Sequence, residues 1–287
     1  MIVLCGCSIR QLAVNQFGDA VAGGGGVFAS DDDPQLIREA VPFGLKLQES
    51  LLAESPRHRG LLLSLASGFT QYAYAFVQTD AIEMEAKDVV AAKALRDRAR
   101  RLFLRARDYG LRGLKLDYPG ISKNSSAALK KTTPRDVSLL YWTAAAWGAA
   151  IADAKDQPHI VADTGKMAAM MDRALELDET FERGAIHTFL INYEMVRPGM
   201  KPSDAQACAK RHFDRALELS AGKLAAPYVT YAEAVCVQQQ QRAEFEKLLH
   251  QALAIDADAA PEARLANLVA QRRARWLLGR IDELFVD

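Results

Sequence analysis

Three stretches of the chain echo one another, and any fold it adopts must give them equivalent places. They are "MMDRALELDETF" around Leu175, "HFDRALELSAGK" around Leu217 and "LLHQALAIDADA" around Leu253, which superpose with Met171, Phe213 and Leu249 in one position. Each is followed by a second segment of helical character: "GAIHTFLINYEMV", "PYVTYAEAVCVQ" and "ARLANLVAQRRARWLL". "QESLLAESP" near Leu51 reads as an older copy. A single helix pair cannot bury its apolar face, so a recurring pair implies that each unit stacks on the next around one continuous core. No segment alternates apolar and polar residues with the period of two that a half-buried strand requires. The expectation is all-α, a solenoid of stacked helix pairs.

The equivalent leucines are 42 and then 36 residues apart. Tetratricopeptide repeats run at about 34 residues and carry a Trp and Gly-Tyr signature on their first helix, which is absent here. The units are therefore read as divergent tetratricopeptide-like repeats. Upstream, "SDDDPQLIREAVPFGLKLQESLLAESP" predicts a helix capped by Asp33, opened by Pro34, kinked at Pro42 and ended before Pro56. "RGLLLSLASGFTQYAYAFVQ" predicts a second helix, apolar on most sides and so buried between neighbours. The charged segment Ala81–Tyr109 reads as a solvated face, and Lys115–Lys131 as a loop. Thr133, Pro134 and Asp136 then form a cap, first position and capping-box analogue for "VSLLYWTAAAWGAAIADA". Residues 1–29 make an N-terminal segment ending in a glycine-rich hinge, Ala22–Gly26, and residues 30–287 one repeat domain.

Composition narrows the functional classes. Lys plus Arg and Asp plus Glu both total 36, so no global field draws nucleic acid, and no nucleic-acid partner is expected. No apolar run reaches the 18 residues of a membrane span. The four cysteines exclude a disulfide scaffold and a zinc ribbon, and His58, His159, His187, His212 and His250 are scattered, with His187 and His212 read as helix-face residues. No metal-binding spacing, nucleophile elbow or P-loop lysine is present, so no catalytic residue, metal or cofactor is expected. Cys208 and Cys236 lie 14 residues either side of Gly222, the expected turn of an antiparallel pair; a bridge is feasible there, and two buried thiols are favoured.

Binding surfaces are the stronger candidates. Ser64, Ser67, Gln71, Tyr74 and Gln78 form an uncharged polar stripe at helical spacing, which either hydrogen-bonds neighbouring helices or lines a wet cavity. Asn267, Gln271 and Arg275 make an i, i+4, i+8 row beside Trp276, a ring suited to stacking on a guanidinium or an organic ligand. Tyr141, Trp142 and Trp147 sit among alanines, as core or as a groove lining. At the start of the chain, Leu4, Cys5, Gly6 and Cys7 have the order of a bacterial lipobox, whose last cysteine is acylated. Only six residues precede Cys7, where a secretory signal carries a basic region and about 7–15 apolar residues, so the true start is expected upstream. On these residues alone, chance cysteines remain the alternative.

Several of these segments are also familiar as a set. "DDDPQLIREAVPFGLKLQESLLAESP", "SGFTQYAYAFVQ", "RARRLFLRARDYGLRGL", "LLYWTAAAWGAAIA", "YVTYAEAVCV" and "LANLVAQRRARWLL" resemble the T-component family of TRAP (tripartite ATP-independent periplasmic) transporters, from about Phe28 to Phe285. The resemblance implies an exported periplasmic lipoprotein anchored through Cys7, touching the membrane only by that lipid. It implies a homotrimer that works with the TRAP solute-binding protein. Ser8, following Cys7, implies outer-membrane sorting by the same analogy. Because such systems carry organic acids, it also makes Ser67, Gln71, Tyr74, Tyr141, Trp142, Asn267, Gln271 and Arg275 the candidate ligand residues. The alternative is a generic repeat scaffold in envelope assembly.

Overall fold

A computed structural model of the protein describes residues 6–23, 25–121, 126–154 and 157–285. Helix makes up 79 % of the structure and no strand occurs among the described residues, so the fold is all-α. The chain gathers into two compact units, Met1–Gly26 with Gln35–Leu177, and Val27–Pro34 with Asp178–Asp287.

In the first stretch of chain, α1 (Gly6–Gly23) and α2 (Gly25–Ala29) flank Gly24, which lies outside the described residues, as do Leu4 and Cys5 of the lipobox. Helix thus reaches into the glycine run from both sides. The next helix, α3 (Pro34–Glu54), opens at the predicted proline, after a turn in which Asp31 Oδ1 accepts from the Asp33 N–H at 2.8 Å. It passes through Pro42 as one element and buries Ile37, Leu45 and Leu52. α4 (Arg59–Tyr72) runs through a π-helical stretch, Ala73–Gln78, into α5 (Thr79–Met84). The wide π turn leaves the Tyr74 carbonyl to accept from Thr79 Oγ1, five residues on, at 3.0 Å.

α6 (Val89–Lys115) is capped by Asp88, whose Oδ1 accepts from the N–H groups of Val90 and Ala91 at 3.0 and 2.9 Å. A short α7 (Ser126–Leu129) occupies part of the segment expected as loop; residues 122–125 lie outside the described residues. α8 (Val137–Ala152), α9 (Pro158–Val161) and α10 (Thr164–Leu177) complete the first unit. α6 packs on α4 and on α8, and α8 packs on α10. Two glycines permit the α6–α8 approach: a Cβ on Gly110 would sit 2.0 Å from Thr143 Oγ1 and 3.3 Å from Thr143 Cα, and one on Gly113 2.9 Å from Leu139 Cδ2.

The second unit contains α11 (Ala185–Glu194), α12 (Pro202–Ser220), α13 (Ala226–Tyr231) with a π-helical extension Ala232–Cys236, α14 (Arg242–Leu253), α15 (Arg264–Leu278) and α16 (Ile281–Leu284). α12 packs on α11 and α13, α13 on α14, and α14 on α15. α12 ends at Ala221 and Gly222, both left-handed at φ 50° and 68°, with the Gly222 N–H donating back to the Leu217 carbonyl at 2.9 Å. That turn stands where the sequence places it. The echoed positions are equivalent in burial: Met171, Phe213 and Leu249 are 0, 6 and 0 % exposed, and the alanine three residues on, Ala174, Ala216 or Ala252, is fully buried each time. A large side chain one turn before a small one gives a neighbouring helix both a knob and a place to approach. Cys208 and Cys236 are free thiols, the first half-buried, the second inside the core of this unit, where burial pushes its thiol up to about 12.

Candidate functional site

The predicted ligand residues fall into three groups on separate helices. Ser67, Gln71 and Tyr74 lie on α4 and its π extension. Gln71 and Tyr74 are exposed, while the Ser67 hydroxyl donates to the Ser64 carbonyl at 3.2 Å. At the end of that stripe the Gln78 amide donates to Asp153 Oδ2 at 2.9 Å, so its last member ties α4's extension to the end of α8. Burial holds the Asp153 carboxyl above the usual range, against the lowering effect of Gln78, Arg96 and Arg100. Tyr141 and Trp142 are half-buried on α8, ring edge to ring face at 4.9 Å and 76°. Trp147, a turn further on, is core, with the Arg107 guanidinium 5.2 Å over its ring.

The third group, on α15, is mostly occupied by the protein's own backbone. Asn267 is 1 % exposed; its Oδ1 accepts from the Ala225 N–H at 2.9 Å and its Nδ2 donates to the Lys223 carbonyl at 3.0 Å. It thereby satisfies the chain just before α13, where helix-start groups have no partner within the helix. The Gln271 amide donates to the carbonyls of Ala252 and Ile255, at 3.2 and 2.7 Å, closing the end of α14. Arg275 is exposed. Trp276 stacks on guanidinium groups, as its neighbourhood suggested: Arg273 lies 4.3 Å and Arg280 4.7 Å from its ring, and Arg273 is also paired with Glu233.

Two polar clusters escaped the sequence. Asp136, predicted only as a cap, is fully buried. It accepts from the Thr133 N–H at 2.9 Å, the Thr133 hydroxyl at 3.0 Å, the Tyr118 hydroxyl at 2.7 Å and Arg59 Nη2 at 2.6 Å. Burial alone would raise its carboxyl; the Thr133 amide, the two hydroxyls and Arg59 outweigh burial and hold it below the usual range. Arg59 also bonds Asp117 at 2.9 Å, so one guanidinium joins the start of α4, the turn after α6 and the start of α8. The second cluster pairs α11 with α12: His187 Nδ1 and His212 Nδ1 are 2.8 Å apart, and His187 Nε2 is 3.4 Å from Glu179, itself paired with Arg215 at 2.5 Å. His212 directly precedes the echoed Phe213, and that register was the available signal.

An open concavity of about 460 Å³ is lined by Asn15, Asp19, Ser55, Arg57, His58, Arg59 and Gly60. A smaller one, about 200 Å³, is lined by Asp117, Tyr118, Pro119, Gly120, Ala127, Ala128 and Lys131. Neither includes a predicted ligand residue. Among the described residues no group of three or more His, Cys, Asp or Glu is arranged to hold a metal ion. Asp136 is fully ligated by its own fold and acts as a clamp between helix ends.

Comparison with known proteins assigns the fold to a system. The family described as TRAP transporter T-component matches residues 30–285, most of the chain. The chain belongs to the TRAP transporter T-component family. An uncharacterized protein of Treponema pallidum (strain Nichols) is 30 % identical over 311 residues, spanning 99 % of this chain and 95 % of the relative. As a T-component it is a transporter-associated protein of a class that is not enzymatic. TRAP components are periplasmic or membrane-associated, and no helix among the described residues of this T-component is long and apolar enough to cross a membrane.

Proposed function

We propose that this T-component is a periplasmic scaffold of a TRAP transport system, anchored by lipid on Cys7 and sorted to the outer membrane, whose helix pairs dock the system's solute-binding protein. The carrying observation is the family match across residues 30–285. The equal burial of the echoed positions supports stacked, tetratricopeptide-like repeats, and three copies associate in this reading. Stacked pairs generate a surface wider than a small molecule needs, which suits protein recognition. For a passing organic acid, Gln71, Tyr74 and Arg275 are the exposed members of the candidate set; Asn267 and Gln271 already bind backbone.

Two experiments test the reading. Deleting the gene while leaving the solute-binding protein and membrane components intact is expected to slow uptake of that system's substrate at least severalfold; unchanged uptake rules the assignment out. Mass spectrometry of the mature protein, expressed with its complete signal, is expected to show an acylated N-terminal cysteine at Cys7. An unmodified chain beginning upstream of Cys7 refutes the anchor.

A further inference from the structure

The chain is neutral overall, yet α6 is not: its 27 residues hold nine basic and two acidic side chains. The carboxylates within reach serve the flanks of the helix. Asp97 takes Lys93 and Arg100, both at 2.8 Å, Asp108 takes Arg107 at 2.7 Å, and Glu85 takes Arg96. The outward line is left over. Arg98, Arg101, Arg105, Arg112 and Lys115 fall at helical spacing opposite the buried Ala99, Phe103, Ala106, Gly110 and Gly113, and all five are exposed. Among the described residues, only Arg105 of these has a carboxylate, Glu49 at 2.6 Å. Arg112 lies over the Tyr109 ring at 5.4 Å and reaches the Pro56 carbonyl at 3.5 Å, which brings exposed Arg57 to the same end of the line. The ridge spans about 25 Å at 1.5 Å per residue.

We propose that this ridge is where a carboxylate-rich face of the solute-binding protein docks, an inference that rests on the partner named above. Guanidinium groups in a row pair bidentately with carboxylates, and a predominantly basic ridge, whose one intervening carboxylate, exposed Asp108 between Arg105 and Arg112, is engaged by Arg107, orients a partner at short range. A face-to-face contact between two copies is excluded, because ridge against ridge repels, and a head-to-tail contact inside a trimer is read out by sedimentation: loss of the trimer in the ridge variant would overturn the ridge as the docking site. A lipid surface fits less well: between Lys93 and Lys115 no large apolar side chain is exposed among the described residues, and interfacial helices carry such residues to insert.

The test uses the full chain and the solute-binding protein of the same gene cluster, with binding measured by calorimetry at two salt concentrations. Arg98→Glu with Arg101→Glu is compared with Lys201→Glu with Lys223→Glu, two exposed lysines of the other unit. The ridge variant is expected to bind at least tenfold more weakly and with a flatter salt dependence, the control within twofold of wild type. Circular dichroism of both variants checks folding, and a ridge variant that does not fold is replaced by Arg98→Gln with Arg101→Gln, for which the same weakening is expected. Wild-type binding that survives ridge reversal overturns the ridge and leaves the partner standing. No binding by wild type at micromolar concentration overturns both. Binding of wild type to phosphatidylglycerol vesicles, lost in the ridge variant while protein binding persists, overturns the ridge in favour of lipid.

Discussion

Asp136 is where the residue scale tells most about stability. A fully buried carboxylate with an arginine, two hydroxyls and an amide on it holds three chain segments together; removing it takes that acceptor from the Tyr118 hydroxyl and the Thr133 amide and leaves Arg59 only Asp117. Asp136→Ala is expected to cost about 3 kcal/mol in denaturant unfolding, the scale for breaking a buried pair by removing one partner. Its carboxyl is held below the usual range in the folded protein, so the stability it contributes is complete above the unfolded value near 4 and is lost as pH falls through the lower folded value. The His187 and His212 pair gives a second, separate pH window. Burial lowers the His187 imidazole, Arg215 adds to that, and Glu179 opposes it. A lowered folded value means stability that is complete above about 6.5 and declines as pH falls through the folded value, because the half-desolvated His187 ring must then take up a charge. Thermal unfolding is expected to fall between pH 7 and pH 5 in wild type and to lose that slope in His187→Phe; an unchanged slope contradicts the role given to the pair.

The contact between α6 and α8 depends on elements fitting at a single glycine. Gly110→Ala places a methyl group against Thr143, whose Oγ1 is 2.0 Å and whose backbone is 3.3 Å from it, so the helices must separate. The expected loss is about 2 kcal/mol by chemical denaturation, with Gly110→Ala/Thr143→Ala, which removes the hydroxyl, only partly restored because the Cβ and backbone contacts remain. The echo was legible because burial of Phe213 and its equivalents leaves a sequence period, and Phe213→Ala is expected to cost about 3–5 kcal/mol for the same reason. Helix starts at Pro34 and Thr133–Asp136 were legible from capping chemistry, which is local. What the sequence hid depends on contacts far apart along the chain: Arg59 meets Asp136 across 77 residues, and Asn267 meets Ala225 across 42. Asn267 and Gln271 looked like ligand residues because a polar row on a helix has the same spacing whether it faces a cavity or another helix's end. The π stretches after α4 and α13 left no compositional mark, and the α6 ridge was visible only as alternating charge until its carboxylate partners were located.

At the scale of the whole molecule, family membership carries the proposal that this all-α chain works by binding another protein of its transport system. Neutral net charge makes long-range attraction weak, so complex formation must come from complementary local surfaces and be modest in rate at high salt. The most direct measurement is sedimentation velocity of the purified protein, alone and mixed at micromolar concentration with the solute-binding protein from its own gene cluster. The account predicts a trimer that shifts to a larger species when the solute-binding protein is added. A monomer whose boundary is unchanged by that protein, with or without transported substrate, would contradict it.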